Sequence, residues 1–518
     1  MKRHAGVNVP LFSIRSRQGW GIGELPDIVP LVDWMAAARF DRLMLLPLGT
    51  MPHGQTSPYS AISTLAIDPI YIGLRQVEDF ERAGGEEALT AEAREAIDQA
   101  RLANPIAYDL VRRVKHDALR LAFGRFIDDE WRAQTARAVA LAAYVARQGS
   151  WLDDYALFLA LRAANGALDW RAWPKPLADR DPDALAAARV ELADELLYYQ
   201  YTQWLAESQW QAARAAARER GILLFGDLPF VAGADSPEVW ARVEEFRLDV
   251  STGVPPDAFS ATGQDWGLPT YRWDVIAAGG YAWQRQRARR MASLFDGLRV
   301  DHVIGLFRTY GRPATGDPFF TPEHEPDQIA QGRAIMRILA DSGLVIIAED
   351  LGVVPDFLRT ALADLGIPGC RVMRWERDWH ADGAPFVVPE SYPPLSAAMT
   401  GTHDTEPLAA WWAAAPDDER VAFMAIVEEA PADGIPAWSD GWRDVLIATA
   451  YRAGSTELFL PIQDLFGWPD RINVPGTVGS HNWTWCLPWP VDALGTLPPA
   501  RERATFLAEL AGRTNRNR

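Results

Sequence analysis

Four carboxylates follow or end short apolar runs that have the composition of buried strands. Asp301, Glu349 and Asp404 each come after a run rich in Val, Ile, Leu or Ala, and Asp227 lies at the end of a fourth. Carboxylates gathered in one pocket repel each other and lose solvation, so a cluster persists where a reaction uses it or a cation compensates it. For any single one, capping of the following helix is the alternative.

Cleavage of a glycosidic bond is the chemistry that needs several carboxylates and no nucleophilic Cys or Ser. One carboxylate attacks the anomeric carbon, a second protonates the leaving oxygen, and further negative charge stabilises the oxocarbenium-like transition state. A retaining pair is held about 5 Å apart, which neighbouring strands can supply. A metal site with His302 and His403 as ligands is the competing interpretation, although the spacing fits no standard zinc motif.

The elements that must position these carboxylates are short apolar runs separated by stretches of helical period. Parallel strands buried on both faces have such near-continuous apolar runs, and their alternation with helices is typical of an α/β architecture. About eight runs predict a (β/α)8 TIM barrel, in which strand ends converge on one pocket at the C-terminal face. The predicted strands are Arg42–Leu48, Ala66–Ile72, Ile222–Leu228, Leu298–Val303, Leu344–Ala348, Arg371–Trp375, Ala398–Thr402 and Glu457–Ile462.

Two long intervals interrupt this alternation. Residues 74–211 have a largely helical pattern, and residues 232–273 are rich in Gly, Pro and aromatic residues, which indicates a structured loop region. Insertions after barrel strands lie at the C-terminal face and shape the active site. We therefore predict one catalytic barrel domain over residues 1–518 with two insertions and no separate C-terminal β-domain.

Composition narrows the class of ligand. The net charge of −18 argues against nucleic acid and against a membrane surface, since both bind clustered Lys and Arg. The 22 tryptophans suit flat ligands such as sugar rings, or large core positions. The two cysteines are far apart and the first residues contain no apolar targeting segment, so we expect a cytoplasmic protein that uses no cofactor and no metal.

At these residues the chain resembles the 4-α-glucanotransferases, also called amylomaltases or disproportionating enzymes (glycoside hydrolase family seventy-seven). The resemblance rests on motifs that occur in the family's order over about nine-tenths of the chain. They include Gly19–Glu24, Ser57–Ser60, Trp151–Phe158, Gly226–Pro229, Val254–Asp257, Thr262–Gln264, Arg299–His302, Ala348–Gly352, Gly401–Asp404 and Arg471–Thr477. Each motif alone is weak, and their ordered set is specific.

The resemblance implies roles for the carboxylates. Asp301 is then the nucleophile that forms a β-glucosyl–enzyme intermediate, and Arg299 orients it and lowers its pKa. Glu349 is the general acid and afterwards the base that activates the acceptor hydroxyl. Asp404 stabilises the transition state and binds the sugar at the cleaved bond.

The resemblance also implies substrate-binding residues. His302 and His403 donate hydrogen bonds to hydroxyls of the sugar at the cleaved bond, and Tyr59 stacks on the ring of that sugar. The loop from Pro255 to Trp266 covers the acceptor side with Asp257 and Gln264, and Asn473 lies in the opposing segment.

Three positions depart from the family pattern. Ile304 stands where many relatives have Arg, Thr405 where Asn is common, and Cys486 where Arg is usual. These departures leave the catalytic carboxylates intact and affect the expected acceptor contacts and chain-length preference.

The predicted function is transfer of α-1,4-glucan segments, with maltooligosaccharides as both donor and acceptor. A hydrolase of the same architecture shares the carboxylates, a non-catalytic glucan-binding protein does not need all three, and a metal-dependent enzyme requires a cation. The expected assembly is a monomer or a small homo-oligomer.

Overall fold

Eight parallel strands close into a barrel at the centre of the computed structural model, which describes residues 2–256 and 262–516. Around the barrel the strands follow the order β1-β12-β11-β10-β9-β6-β3-β2, so each pairs with parallel neighbours on both sides. The barrel strands are β1 (Gly6–Asn8), β2 (Arg42–Met44), β3 (Leu223–Leu228), β6 (Gly297–Val300), β9 (Val345–Ala348), β10 (Gly369–Val372), β11 (Ser396–Met399) and β12 (Glu457–Pro461).

The barrel confirms the predicted fold, and one predicted strand is wrong. Every predicted run overlaps a barrel strand except Ala66–Ile72, whose end forms a 3-10 turn over Pro69–Tyr71. Pro69 cannot donate to a strand ladder, and the Asp68 side chain accepts a hydrogen bond from the backbone of Ile70, which caps the turn. The eighth strand is β1, in which Gly6 and Asn8 flank Val7, so it has no continuous apolar run.

Helices connect the strands and surround the barrel. Between β2 and β3 the chain forms α2 to α8 without an intervening strand, among them the long α5 and α8, which pack on each other. The helices are α1 (Ile28–Ala37), α2 (Glu78–Arg82), α3 (Ala91–Leu102), α4 (Tyr108–Phe126), α5 (Ala136–Ala164), α6 (Lys175–Ala178), α7 (Pro182–Glu191), α8 (Ala193–Glu219), α9 (Pro237–Ala241), α10 (Trp273–Ala278), α11 (Ala282–Leu294), α12 (Val303–Phe307), α13 (Glu325–Ala340), α14 (Asp356–Asp364), α15 (Leu408–Ala414), α16 (Asp417–Met424), α17 (Asp440–Arg452), α18 (Ile462–Phe466) and α19 (Pro498–Arg513).

A second, antiparallel sheet lies outside the barrel and differs from the structured loop expected for residues 232–273. Its order is β5-β4-β7-β8, and it joins two separate parts of the sequence. The strands are β4 (Phe246–Val254), β5 (Gln264–Tyr271), β7 (Thr309–Pro313) and β8 (Phe319–Thr321). Pairing of β4 with β7 is long-range, so composition within residues 232–273 could not reveal it.

Large side chains fill the barrel interior, as is usual for this fold. Phe225 and Phe459 meet edge-to-face with ring centroids 5.4 Å apart, and Ile347 packs in the same cluster. Gly297 leaves room for this packing, because a Cβ there would lie 2.2 Å from the Phe225 ring. The barrel is therefore a packed core that holds the strand ends rigidly. Among the described residues, none of the helices has the length and apolarity to cross a lipid bilayer.

Candidate active site

The first two carboxylates are held by backbone hydrogen bonds that extend the barrel by one residue. Asp301 directly follows β6, and its N–H donates to the carbonyl of Leu228 on β3 at 3.2 Å. Glu349 directly follows β9, and its N–H donates to the carbonyl of Val300 on β6 at 3.1 Å. Both side chains therefore emerge at the C-terminal face from positions fixed by the barrel itself.

One buried guanidinium links three carboxylates from three neighbouring strands. Arg299 is 4% exposed and donates through Nη1 to Asp227 at 2.5 Å and to Asp301 at 3.1 Å. Its Nη2 lies 3.0 Å from Glu349 Oε1. A planar fork with several fixed donors suits such a position better than a lysine ammonium does. The structure thus brings the predicted nucleophile and general acid together around Arg299.

Asp301 and Glu349 interact directly through a hydrogen bond between their carboxyl groups. Burial raises the pKa of Asp301 well above its usual range, the negative charge of Glu349 raises it further, and Arg299 opposes both. Arg299 therefore lowers the pKa of Asp301 as predicted, but burial and Glu349 outweigh it. The pKa of Asp301 is thus set by burial and by both of its charged neighbours rather than by Arg299 alone.

Asp227 is the fourth carboxylate, for which the sequence predicted no role. It accepts hydrogen bonds from Arg299 and from the hydroxyl of Tyr59, the latter at 2.7 Å. Burial raises the pKa of Asp227, and its Oδ1 has no hydrogen-bond partner among the described side chains and backbone. Asp227 therefore fixes Arg299 and Tyr59 relative to each other from β3.

His302 has a strained backbone and connects the carboxylate pair to the second sheet. Its φ is +46°, a left-handed conformation that is costly for a residue with a Cβ and that concentrates at functional sites. In this conformation its N–H donates to Glu349 Oε2 at 2.7 Å. Burial lowers the pKa of the imidazole to about 4, so the ring is neutral near pH 7.

Asp404 belongs to a separate hydrogen-bonded group on the loop after β11. Asn473 donates to its Oδ1 at 2.6 Å, and His403 Nε2 lies 3.3 Å from its Oδ2. Burial raises the pKa of Asp404, but His403 and Asn473 outweigh burial and bring it down to about 2. Arg471 donates to the Asp404 carbonyl at 2.7 Å, which ties the Asn473 segment to this loop. Asp404 is therefore ionised near neutral pH.

Tyr59 joins the two groups of carboxylates. Besides its bond to Asp227, its hydroxyl lies 3.1 Å from His403 Nε2, and the two rings stack with centroids 5.3 Å apart at 22°. Trp483 lies against both rings. Tyr59 is thus oriented by contacts with residues far away in the chain.

The second sheet places one predicted binding residue at the site. Trp266 on β5 meets the His302 ring edge-to-face with centroids 4.7 Å apart, and its Nε1 donates to Gln264 at 3.1 Å. Trp266 is only half-buried, so its ring also faces solvent beside the site. Asp257, predicted on the same loop, lies outside the described residues.

The three departures from the family pattern occupy structural positions. Ile304 packs against the hydrophobic core, and Cys486 is buried within it. The Thr405 hydroxyl accepts a hydrogen bond from the Thr402 N–H at 3.0 Å, which closes the turn that carries Asp404. In the described parts of the chain, no group of three or more His, Cys, Asp or Glu side chains is arranged to hold a metal ion.

Comparison with known sequences identifies relatives over nearly the whole chain. The sequence profile described as 4-alpha-glucanotransferase matches residues 9–491. A 4-alpha-glucanotransferase of Synechocystis sp. is 34% identical over 500 residues, covering 93% of this chain and 94% of the relative. The enzyme of that name from Chlamydia pneumoniae is 30% identical over 496 residues, covering 93% and 90%.

Solved structures agree with these relatives. An amylomaltase from Streptococcus agalactiae in complex with acarbose superposes with a TM-score of 0.82 at 26% identity and full coverage of both chains. The amylomaltase from Corynebacterium glutamicum has a TM-score of 0.81 at 23% identity, covering 97% of this chain and 75% of that one, and supports the fold.

Replacing Arg299 with lysine tests whether the fork organises the site. We expect Arg299→Lys to lower kcat/KM for transfer by about 100-fold while the protein remains folded, because one charge is kept but the three-way contact is lost. Initial rates and circular dichroism measure the two effects. Arg359→Lys is the matched control, since Arg359 is exposed and contacts the buried Asp350. Wild-type activity in Arg299→Lys would show that the fork is dispensable.

Proposed function

The chain belongs to the 4-alpha-glucanotransferase family, and we propose that it transfers α-1,4-glucan segments by a retaining double displacement on Asp301 and Glu349. The observation that carries this proposal is the contact of both carboxyl groups with Arg299 at the ends of adjacent strands. The double displacement needs Asp301 ionised and Glu349 protonated at the start, and Arg299 favours the ionised form of Asp301 against burial.

In the first step a donor glucan binds with its glycosidic oxygen next to Glu349 and its anomeric carbon next to Asp301. Glu349 gives its proton to the glycosidic oxygen, the carbon–oxygen bond breaks, and Asp301 forms a covalent bond to the anomeric carbon. Entry of the sugar separates the two carboxyl groups toward the distance of about 5 Å that retaining enzymes use. Arg299 remains bound to both and compensates the negative charge that Glu349 gains.

In the second step an acceptor glucan replaces the released fragment. Glu349 takes the proton of the acceptor 4-hydroxyl, whose oxygen attacks the anomeric carbon and releases Asp301. The number of glycosidic bonds is unchanged. A neutral substrate also suits the negative chain, and the amylomaltase from Streptococcus agalactiae forms a complex with acarbose.

Asp404 and the histidines bind the sugar at the reacting bond. With a pKa of about 2, Asp404 keeps its negative charge and stabilises the oxocarbenium-like transition state. Asn473 and His403 hold this carboxylate, and neutral His302 offers a ring nitrogen to sugar hydroxyls without adding positive charge next to Glu349.

Transfer exceeds hydrolysis when a bound acceptor reaches the intermediate before water does. Trp266 covers His302 from the second sheet and presents its half-buried ring beside the carboxylate pair. We propose that this ring binds the acceptor and excludes water, with Gln264 holding the indole.

Incubation with maltotriose tests the overall function. We expect glucose together with a ladder of longer maltooligosaccharides, while the number of reducing ends stays constant, because each cleavage is matched by one transfer. Chromatography of the products and a reducing-end assay measure this. Rising reducing ends without longer products would identify a hydrolase instead.

Replacing Glu349 with glutamine tests the roles of Asp301 and Glu349 through the pH dependence of the reaction. With α-glucosyl fluoride as donor, which needs no acid to leave, we expect the acidic limb of fluoride release to move to lower pH in Glu349→Gln. The negative charge of Glu349 helps to raise the pKa of Asp301, so its removal lets Asp301 ionise at lower pH. In the control Glu376→Gln the limb stays in place. An unchanged limb in Glu349→Gln would contradict the coupling of the pair.

Truncation of Trp266 tests how the enzyme favours transfer. We expect Trp266→Ala to raise the ratio of hydrolysis to transfer by up to about tenfold, equivalent to about 1.4 kcal/mol of lost acceptor preference. Trp266→Phe keeps an aromatic ring against His302 and should retain most of the preference for transfer. An unchanged ratio in Trp266→Ala would exclude this role.

A further inference from the structure

An exposed tryptophan lies on the catalytic face, in the connection after the strand that stands between those preceding Glu349 and Asp404. Trp379 is 73% exposed, whereas most large aromatic side chains of the protein are buried. It lies in the connection after β10, and β10 pairs with β9, which precedes Glu349, and with β11, which precedes Asp404. Connections after barrel strands lie on the active-site face. An indole exposed to water does not contribute the stabilisation that burial of its large apolar surface would give. Its exposure therefore indicates a role in binding.

The segment that carries Trp379 is a braced hairpin. Arg377 and Phe386 form an antiparallel bridge, and the Asp378 N–H donates to the Pro385 carbonyl at 2.9 Å. Arg377 also packs over the Phe386 ring, with its guanidinium carbon 3.7 Å from the centroid. The base of this hairpin is therefore ordered, and the exposed ring of Trp379 lies only two residues after the bridged Arg377.

The turn of the hairpin contains backbone strain. Ala384 has a φ of +41°, a left-handed conformation that is costly for a residue with a Cβ, and Gly383 before it has a φ of +77°. Such strain persists where the surrounding structure enforces it and concentrates at ligand-binding sites. Here it lies in the turn, four and five residues after Trp379.

The neighbouring connection presents apolar surface as well. Val353 lies four residues after Glu349 and is 63% exposed. Apolar side chains on two adjacent connections of the catalytic face fit a ligand that has flat apolar faces and reaches beyond the reacting bond. A glucan chain is such a ligand, because the C–H faces of its sugar rings stack on aromatic rings.

We propose that Trp379 is a distal glucan-binding residue that stacks on a sugar ring away from the cleaved bond and so sets the preference for long chains. The inference rests on the glucan transfer proposed above and concerns only its chain-length dependence. Trp379 lies on a different connection from the carboxylates around Arg299, and its contribution is confined to glucans that extend to the hairpin.

Kinetics with a short and a long donor test this inference. For Trp379→Ala we expect KM for maltoheptaose to rise about threefold to tenfold, the effect of losing one aromatic stacking contact, while kcat and all values for maltotriose stay at wild-type levels. In a background of Asp301→Asn, which binds without turnover, calorimetry should show the same weakening for maltoheptaose alone.

Two controls separate binding from structural damage. Trp379→Phe keeps an aromatic face and should restore most of the affinity for maltoheptaose. Val345→Ala removes an exposed apolar side chain at the start of β9, at the opposite end of the barrel. It should leave kcat and KM unchanged for both maltotriose and maltoheptaose. Equal losses on maltotriose and maltoheptaose, or no loss on either, would overturn the proposal. If the wild-type protein showed no glucan transfer at all, the proposed transferase function itself would be contradicted.

Discussion

The buried contact of Arg299 with three carboxylates is the interaction on which the site depends. One cation compensates Asp227, Asp301 and Glu349, so the group as a whole has an excess of negative charge. Arg299 opposes the rise that burial and Glu349 cause in the pKa of Asp301. The same excess is what the reaction uses, since the transition state is positively charged at the sugar and its stabilisation requires carboxylates that are already in place.

The sequence could predict those parts of the site that are encoded locally. Asp301 and Glu349 directly follow apolar runs, and a parallel barrel brings strand ends together whatever the distance between them in the chain. Arg299 lies two residues before Asp301 and therefore on the same face of β6. Even the missed strand β1 and the wrong strand at Ala66–Ile72 left the barrel prediction intact, because the other runs were sufficient.

Contacts that join distant parts of the chain could not be predicted in this way. The bond of Tyr59 to Asp227 spans 168 residues, and that of Asn473 to Asp404 spans 69. The second sheet pairs β4 with β7, although β5, three helices and the barrel strand β6 lie between them in the chain. The net pKa of Asp301 also escaped prediction, because it follows from the balance between burial, Glu349 and Arg299 rather than from any one neighbour.

The division between barrel and insertions also separates chemistry from selectivity. Water and a sugar hydroxyl react with the same glucosyl intermediate by the same steps, so the carboxylates on the barrel strands cannot distinguish them. Selection must come from groups that bind the acceptor and the distant sugars of the glucan. These groups lie on connections between barrel strands, which can vary without changing the barrel. Trp266 reaches the site from an antiparallel sheet, and Trp379 stands on a strained hairpin. Changes in these connections can therefore alter acceptor preference and chain length while Arg299 and its carboxylates remain in place.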